Sequence, residues 1–92
     1  MIFYIILEEG DLMYKLLIVE DDFIIAKGLQ KHFEKYHYDV QYIEDFEHVL
    51  DEFLEFQPDL VLLDIHLPFF DGYYWCQEIR KISQVPIVFI SS

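Results

Sequence analysis

Two short, unbroken apolar runs that each stop on an acid constrain this chain more than any other feature. Leu16-Leu17-Ile18-Val19 ends at Glu20-Asp21-Asp22, and Leu60-Val61-Leu62-Leu63 ends at Asp64. A strand with one wet face alternates apolar and polar residues, whereas an unalternated run suits a strand covered on both faces. Such strands belong to parallel sheets with helices packed on either side.

The segments between them carry a helical period. Phe23, Ala26, Leu29, Phe33 and Tyr36 recur at spacings of three and four, with Asp22 placed to cap the first turn. Val40 to Ile43 predicts a weaker strand. After Asp45, the positions Phe46, Val49, Leu50, Phe53 and Leu54 mark one face of a second helix, which Pro58 ends. Pro68 supplies turn chemistry and Asp71-Gly72 turn and helix-cap chemistry, a third helix is expected through Trp75, Ile79 and Ile82, and Val85 to Ile90 completes the pattern as a fourth strand with Pro86 near its start. The order is βαβαβαβ. Alternation of this kind implies parallel pairing through right-handed crossovers, hence an open, doubly wound, flavodoxin-like α/β sheet. There is no internal repeat, low-complexity tract or linker, and 92 residues leave room for one domain with a thin stability margin.

Charge removes one class of ligand. Eighteen acidic residues against six basic ones give a net charge of −12, so a phosphate backbone would be repelled and no basic stripe exists to read it. Direct nucleic-acid contact by this chain is therefore not expected. The 54% hydrophobic content indicates a packed core rather than a disordered tail. The single Cys76 cannot form an internal disulfide, and its neighbours Tyr73, Tyr74, Trp75 and Ile79 suggest a buried, reduced thiol in the cytoplasm. The opening run Met1 to Leu7 is too short to span a membrane and lacks the basic flank and cleavage site of a signal peptide. Met13 is a natural start for the segment from Tyr14 onward, so residues 1–12 read as an N-terminal extension, and 13–92 as the domain.

In open α/β sheets the ligand site lies beyond the carboxyl ends of the strands, where the strand order reverses. Glu20 and Asp21 follow the first strand and Asp64 follows the third, and flavodoxin-like order makes those strands neighbours. Three carboxylates would then converge. Like charges brought together raise one another's pKa unless a cation compensates, and an all-oxygen donor set with room for water and phosphate suits Mg²⁺ better than Zn²⁺. A carboxylate nucleophile beside Mg²⁺ can form an aspartyl phosphate. Alone, Glu20-Asp21-Asp22 would be no more than an acidic helix N-terminus suited to the macrodipole. Its pairing with Asp64, at the end of the most apolar strand, is what points to a metal site. The four histidines, His32, His37, His48 and His66, share no ligand spacing.

The stretches Leu16-Leu17-Ile18-Val19-Glu20-Asp21-Asp22, Leu62-Leu63-Asp64-Ile65-His66-Leu67-Pro68-Phe69-Phe70-Asp71-Gly72 and Pro86-Ile87-Val88-Phe89-Ile90-Ser91 resemble the signatures of response-regulator receiver domains, over residues 14–92. The resemblance implies Asp64 as phosphoacceptor, Glu20 and Asp21 as Mg²⁺ carboxylates, the His66 carbonyl as a backbone ligand and Ser91 as the switch hydroxyl. It also implies a sensor histidine kinase as phosphoryl donor and a DNA-binding output domain elsewhere in the parent. The segment Asp71 to Arg80, followed by Ser83-Gln84-Val85-Pro86, resembles winged-helix regulators of antimicrobial-peptide and bacitracin resistance, whose partners are intramembrane-sensing kinases and ABC transporters. The bland alternative makes Tyr73, Tyr74 and Trp75 ordinary surface and core aromatics.

The sequence departs from the family by stopping after the fourth strand. A fourth helix, a fifth strand with its lysine, and a fifth helix are lacking, so a C-terminally truncated receiver is expected, able to associate with a second copy through its open fourth strand. Three classes stand at this point: a phosphoacceptor signalling module, an inactive interaction fragment, and a Mg²⁺-dependent phosphatase of the haloacid-dehalogenase kind. The last wants Asp-x-Asp where this chain reads Asp64-Ile65-His66.

Overall fold

The computed structural model describes residues 13–91; the expected extension 1–12 lies outside the described residues. Seven elements succeed one another: β1 (Lys15–Val19), α1 (Phe23–Glu34), β2 (Asp39–Tyr42), α2 (Val49–Phe56), β3 (Leu60–Asp64), α3 (Gly72–Arg80) and β4 (Ile87–Ile90). The four strands form one parallel sheet in the order β2-β1-β3-β4. The chain thus leaves β1 to one side for β2 and returns to the other side for β3, which is the doubly wound arrangement the apolar runs imply.

Burial explains why those runs do not alternate. In β1, Leu17 and Val19 face a cluster with Val49, Phe53 and Phe56 of α2 and with Trp75 and Ile79 of α3. Leu16 and Ile18 face the opposite layer with Val40, Leu62 and Ala26 of α1. Leu16, Leu17, Ile18 and Val19 are each at most 1% exposed. Both faces of β1 are covered, so this strand needs apolar residues at odd and even positions.

The helix ends are written locally. Asp22 caps α1, its Oδ1 accepting from the N–H of Ile24 at 3.0 Å and of Ile25 at 3.2 Å. Asp71 caps α3 by accepting from the Tyr74 N–H at 2.9 Å. Helix α2 closes at Gln57, left-handed with φ 52°, whose N–H returns to the Phe53 carbonyl just before Pro58.

Several boundaries differ from the periodicity. Helix α2 begins at Val49, because Asp45 accepts from the Glu47 N–H and pairs with the His48 ring, which holds Phe46 in a preceding turn. Tyr36 and Ile82 fall beyond the ends of α1 and α3 and are exposed, as are Phe23 and Leu54. Strand β4 starts at Ile87 rather than Val85: Pro86 has no N–H to give the ladder, although its carbonyl still accepts from Val61 at 3.0 Å. Cys76 is half-buried rather than buried, because Trp75 and Ile79 take the inward stripe of α3.

On the β2 edge the Gln30 amide donates to the Val40 carbonyl at 3.0 Å, covering part of the exposed ladder. Gly28 stands in the middle of α1 with nothing within 4 Å of a built Cβ. Glycine there costs the helix conformational entropy without a packing return. Gly28→Ala is expected to stabilise the fold by about 0.5–1 kcal/mol, read as a rise in thermal midpoint of a few degrees.

Candidate functional site

Strands β1 and β3 pair in register, Val19 opposite Leu63. The next residue on each, Glu20 and Asp64, is therefore delivered to the same carboxyl edge of the sheet. Both are buried, Glu20 2% and Asp64 1% exposed, while Asp21 faces solvent. One oxygen of each of the three carboxylates lies within 4.8 Å of the others.

Each buried carboxylate has one oxygen tied to backbone and one left over. Glu20 Oε2 accepts from the Asp22 N–H at 3.0 Å, and Asp64 Oδ1 accepts from the His66 N–H at 3.1 Å. Glu20 Oε1 and Asp64 Oδ2 are buried without a hydrogen-bond partner. Leaving such atoms unpaired is costly, and they call for a proton or a cation. The Glu20 carboxyl is accordingly pushed up to about 7, chiefly by burial; the Asp22 N–H opposes the rise, and the Asp64 and Asp21 carboxylates add to it. The cluster can hold a metal ion, and its all-oxygen donor set suits a hard divalent one.

The surrounding backbone is braced. Asp64 lies opposite Ile90 in the β3–β4 register, and the Ile65 N–H donates to the Ile90 carbonyl at 3.1 Å. The loop then turns through Phe69, left-handed with φ 67°, and the Gly72 N–H returns to the Ile65 carbonyl at 2.9 Å. Ser91 directly follows Ile90 and is exposed. His66 reaches Asp64 through its N–H and does not belong to the carboxylate cluster.

A cleft of about 350 Å³ opens beside the acids, lined by Glu20, Asp21, Phe23, Tyr42, Ile43, Glu44 and Phe46. The larger cavity, about 660 Å³, follows the β2 edge past Lys15, Gln30 and Asp39 and contains none of the three acids. Size is therefore a poor guide to the chemistry here. The aromatics of α3 divide as surface and core residues do. Trp75 is buried, whereas Tyr73 and Tyr74 are exposed, Tyr74 stacking on Phe70 with ring centroids 4.3 Å apart.

Sequence reasoning misses one residue at the site. Gly72 is expected to serve the turn and the helix cap, but it abuts the Asp64 carbonyl. A signal is present, since the first position of a helix accepts most residues and does not by itself require glycine.

A family model described as the response regulator receiver domain matches residues 16–92. The uncharacterized transcriptional regulatory protein YvcP of Bacillus subtilis (strain 168) is 56% identical over 80 residues, covering 87% of this chain and 34% of the relative. The response regulator protein GraR of Staphylococcus aureus (strain JH9) is 46% identical over 78 residues, covering 85% of this chain and 35% of the relative. The chain thus spans about a third of the length of the curated relatives it matches. Among solved structures, the N-terminal domain of the nisin resistance regulator NsrR, a lantibiotic response regulator, superposes with a TM-score of 0.79 at 47% identity, covering 86% of this chain and 67% of that one. The BeF3-activated receiver domain of Klebsiella pneumoniae RstA gives a TM-score of 0.80 at 35% identity, covering 85% and 67%. Fold, matched span and identity agree: the chain belongs to the response regulator receiver domain family.

Proposed function

We propose that this chain accepts a phosphoryl group on Asp64 from a phosphohistidine of a sensor histidine kinase, in the presence of Mg²⁺, and so switches a transcription-regulating output carried by its parent protein. The observation that carries this reading is the pair of buried carboxylates, each with one oxygen held by backbone and one unpartnered.

The His66 N–H fixes Asp64 Oδ1 and leaves Oδ2 as the nucleophile. An oxygen–phosphorus bond forms at Oδ2, the phosphorus–nitrogen bond of the phosphohistidine breaks, and the imidazole leaves with a proton. The product is a mixed anhydride that water later returns to carboxylate and phosphate. Glu20, Asp21, Asp64 and the His66 carbonyl would hold Mg²⁺, which when bound neutralises charge on the phosphoryl oxygens. Ser91, one residue past the β4 partner of Asp64, would donate its hydroxyl to a phosphoryl oxygen and move with it.

The chain is a phosphoacceptor rather than an enzyme acting on other substrates, and any catalysis is confined to its own phosphorylation and dephosphorylation. Among the described residues no helix is long and apolar enough to cross a membrane. We place the protein in the cytoplasm, where its kinase would phosphorylate it, with a winged-helix output like that of peptide-resistance regulators making the DNA contacts. Residues 13–92 would then form the receiver part of the longer protein and residues 1–12 an extension of it.

Labelling tests the reading. Treating the full-length protein with a small acyl phosphate and Mg²⁺ is expected to leave one acid-stable, base-labile label, in the peptide that carries Asp64. The label should disappear when the metal is chelated. A Mg²⁺-dependent label that maps to any other residue would overturn the assignment.

A further inference from the structure

We propose that Gly72 is a positioning residue for Asp64: its missing side chain lets the first turn of α3 close onto the Asp64 carbonyl, and that contact sets where the carboxylate points. The inference rests on reading Asp64 as the phosphoryl acceptor.

A Cβ built on Gly72 would stand 2.3 Å from the Asp64 carbonyl oxygen, 3.0 Å from its carbon and 3.0 Å from Ile65 Cα. All three atoms are backbone, so no rotamer change can relieve the clash. Ordinary contact begins at 3.4 Å, so the two backbones would have to part by about 1 Å. Helical geometry does not explain the residue. Gly72 begins α3 outside the left-handed region, where alanine would serve the helix better. Gly28, the glycine inside α1, meets nothing within 4 Å and supplies an internal contrast.

What Gly72 touches leads directly to the carboxylate. Its N–H donates to the Ile65 carbonyl at 2.9 Å, and the Ile65 N–H donates to Ile90 at 3.1 Å, so the peptide after Asp64 is held between α3 and β4. The next N–H in that segment, on His66, is the one that grips Asp64 Oδ1 at 3.1 Å. Pushing α3 away would move this short segment, and the Oδ1 anchor would move with it. A misplacement of about 1 Å at a reacting group can cost about 100-fold in rate.

The test uses the full-length protein with a small acyl phosphate and saturating Mg²⁺. It compares wild type, Gly72→Ala, Gly28→Ala and the double variant, whose Gly28→Ala change offsets lost stability. Gly72→Ala is expected to lower the phosphorylation rate constant about 100-fold and to shift the His66 amide resonance, at a temperature where circular dichroism shows it folded. Gly28→Ala should leave both readouts at wild type. A folded Gly72→Ala protein that is labelled at the wild-type rate, or whose His66 amide is unmoved, overturns the proposal. So does failure of both the single and the double variant to fold, because Gly72 would then serve folding and not Asp64. A wild type that takes no label refutes the acceptor reading and the inference with it, whereas labelling of wild type and Gly72→Ala at equal rates refutes the inference alone.

Discussion

Asp64→Asn is expected to abolish the base-labile label and, with the metal chelated at pH 8, to leave the protein more stable than wild type by about 1–3 kcal/mol. Asp64 is 1% exposed and its Oδ2 has no partner, beside a Glu20 oxygen in the same condition. Two buried carboxylates repel each other and forgo hydration, so the wild-type fold carries a cost that an opposite charge would cancel. Asparagine keeps the shape. Its amide oxygen can still accept from the His66 N–H, and its NH₂ can donate to Glu20. Thermal melts in chelator should show the gain as a midpoint several degrees higher, since 1 kcal/mol corresponds to about 4–8 °C in a domain of this size. Added Mg²⁺ should then stabilise wild type much more than the variant. If the variant were the less stable protein in chelator, the two carboxylates would have to be better satisfied than their geometry implies.

The second large effect concerns pH. Glu20 has an ordinary carboxyl pKa of 4.5 when the chain is unfolded and one of about 7 in the fold, raised first by burial and then by its acidic neighbours. Between those values the native state binds a proton that the unfolded state does not, so stability falls as pH rises through this window. Above pH 7 neither state holds the proton and the destabilisation is complete; below 4.5 it is absent. The difference is on the order of a few kcal/mol and is shared with the acidic neighbours that help to raise it. Denaturant unfolding in chelator at a series of pH values between 4.5 and 8 should show this decline. Mg²⁺ should flatten it by favouring the ionised carboxylates. A chelated protein whose stability holds level or climbs from pH 5 to 7 would contradict a protonated Glu20.

The parts of this molecule that could be read from sequence are those where one local rule decides the outcome. Leu16 to Val19 and Leu60 to Leu63 read as strands covered on both faces, and the acids that end such parallel neighbours emerge at one edge of the sheet. Asp22 and Asp71 were legible as caps because a carboxylate before a helical period has few other uses. What stayed hidden depends on distant contacts. The period through Phe46 could not reveal that Asp45 binds Glu47 and His48 and delays α2. Three consecutive acids likewise gave no hint that Glu20 would be buried while Asp21 remained wet, a difference set by which way each side chain leaves the end of β1. For Gly72 the only signal was indirect, a glycine where the helix did not require one. Its significance lies in a 2.3 Å gap to a carbonyl eight positions away, closed by the loop through Phe69.

The strand order has a consequence for how the site comes into being. Glu20 and Asp64 are adjacent only because β1 and β3 are parallel neighbours, and parallel neighbours cannot be joined by a tight turn. An entire α1-β2-α2 excursion must be laid down between them. Closing that long separation costs entropy before the contact yields anything, so the pocket cannot form until this long-range pairing does. Until β1 and β3 pair, the two carboxylates stay apart and hydrated, so their repulsion is felt only by a chain whose central strands are already joined.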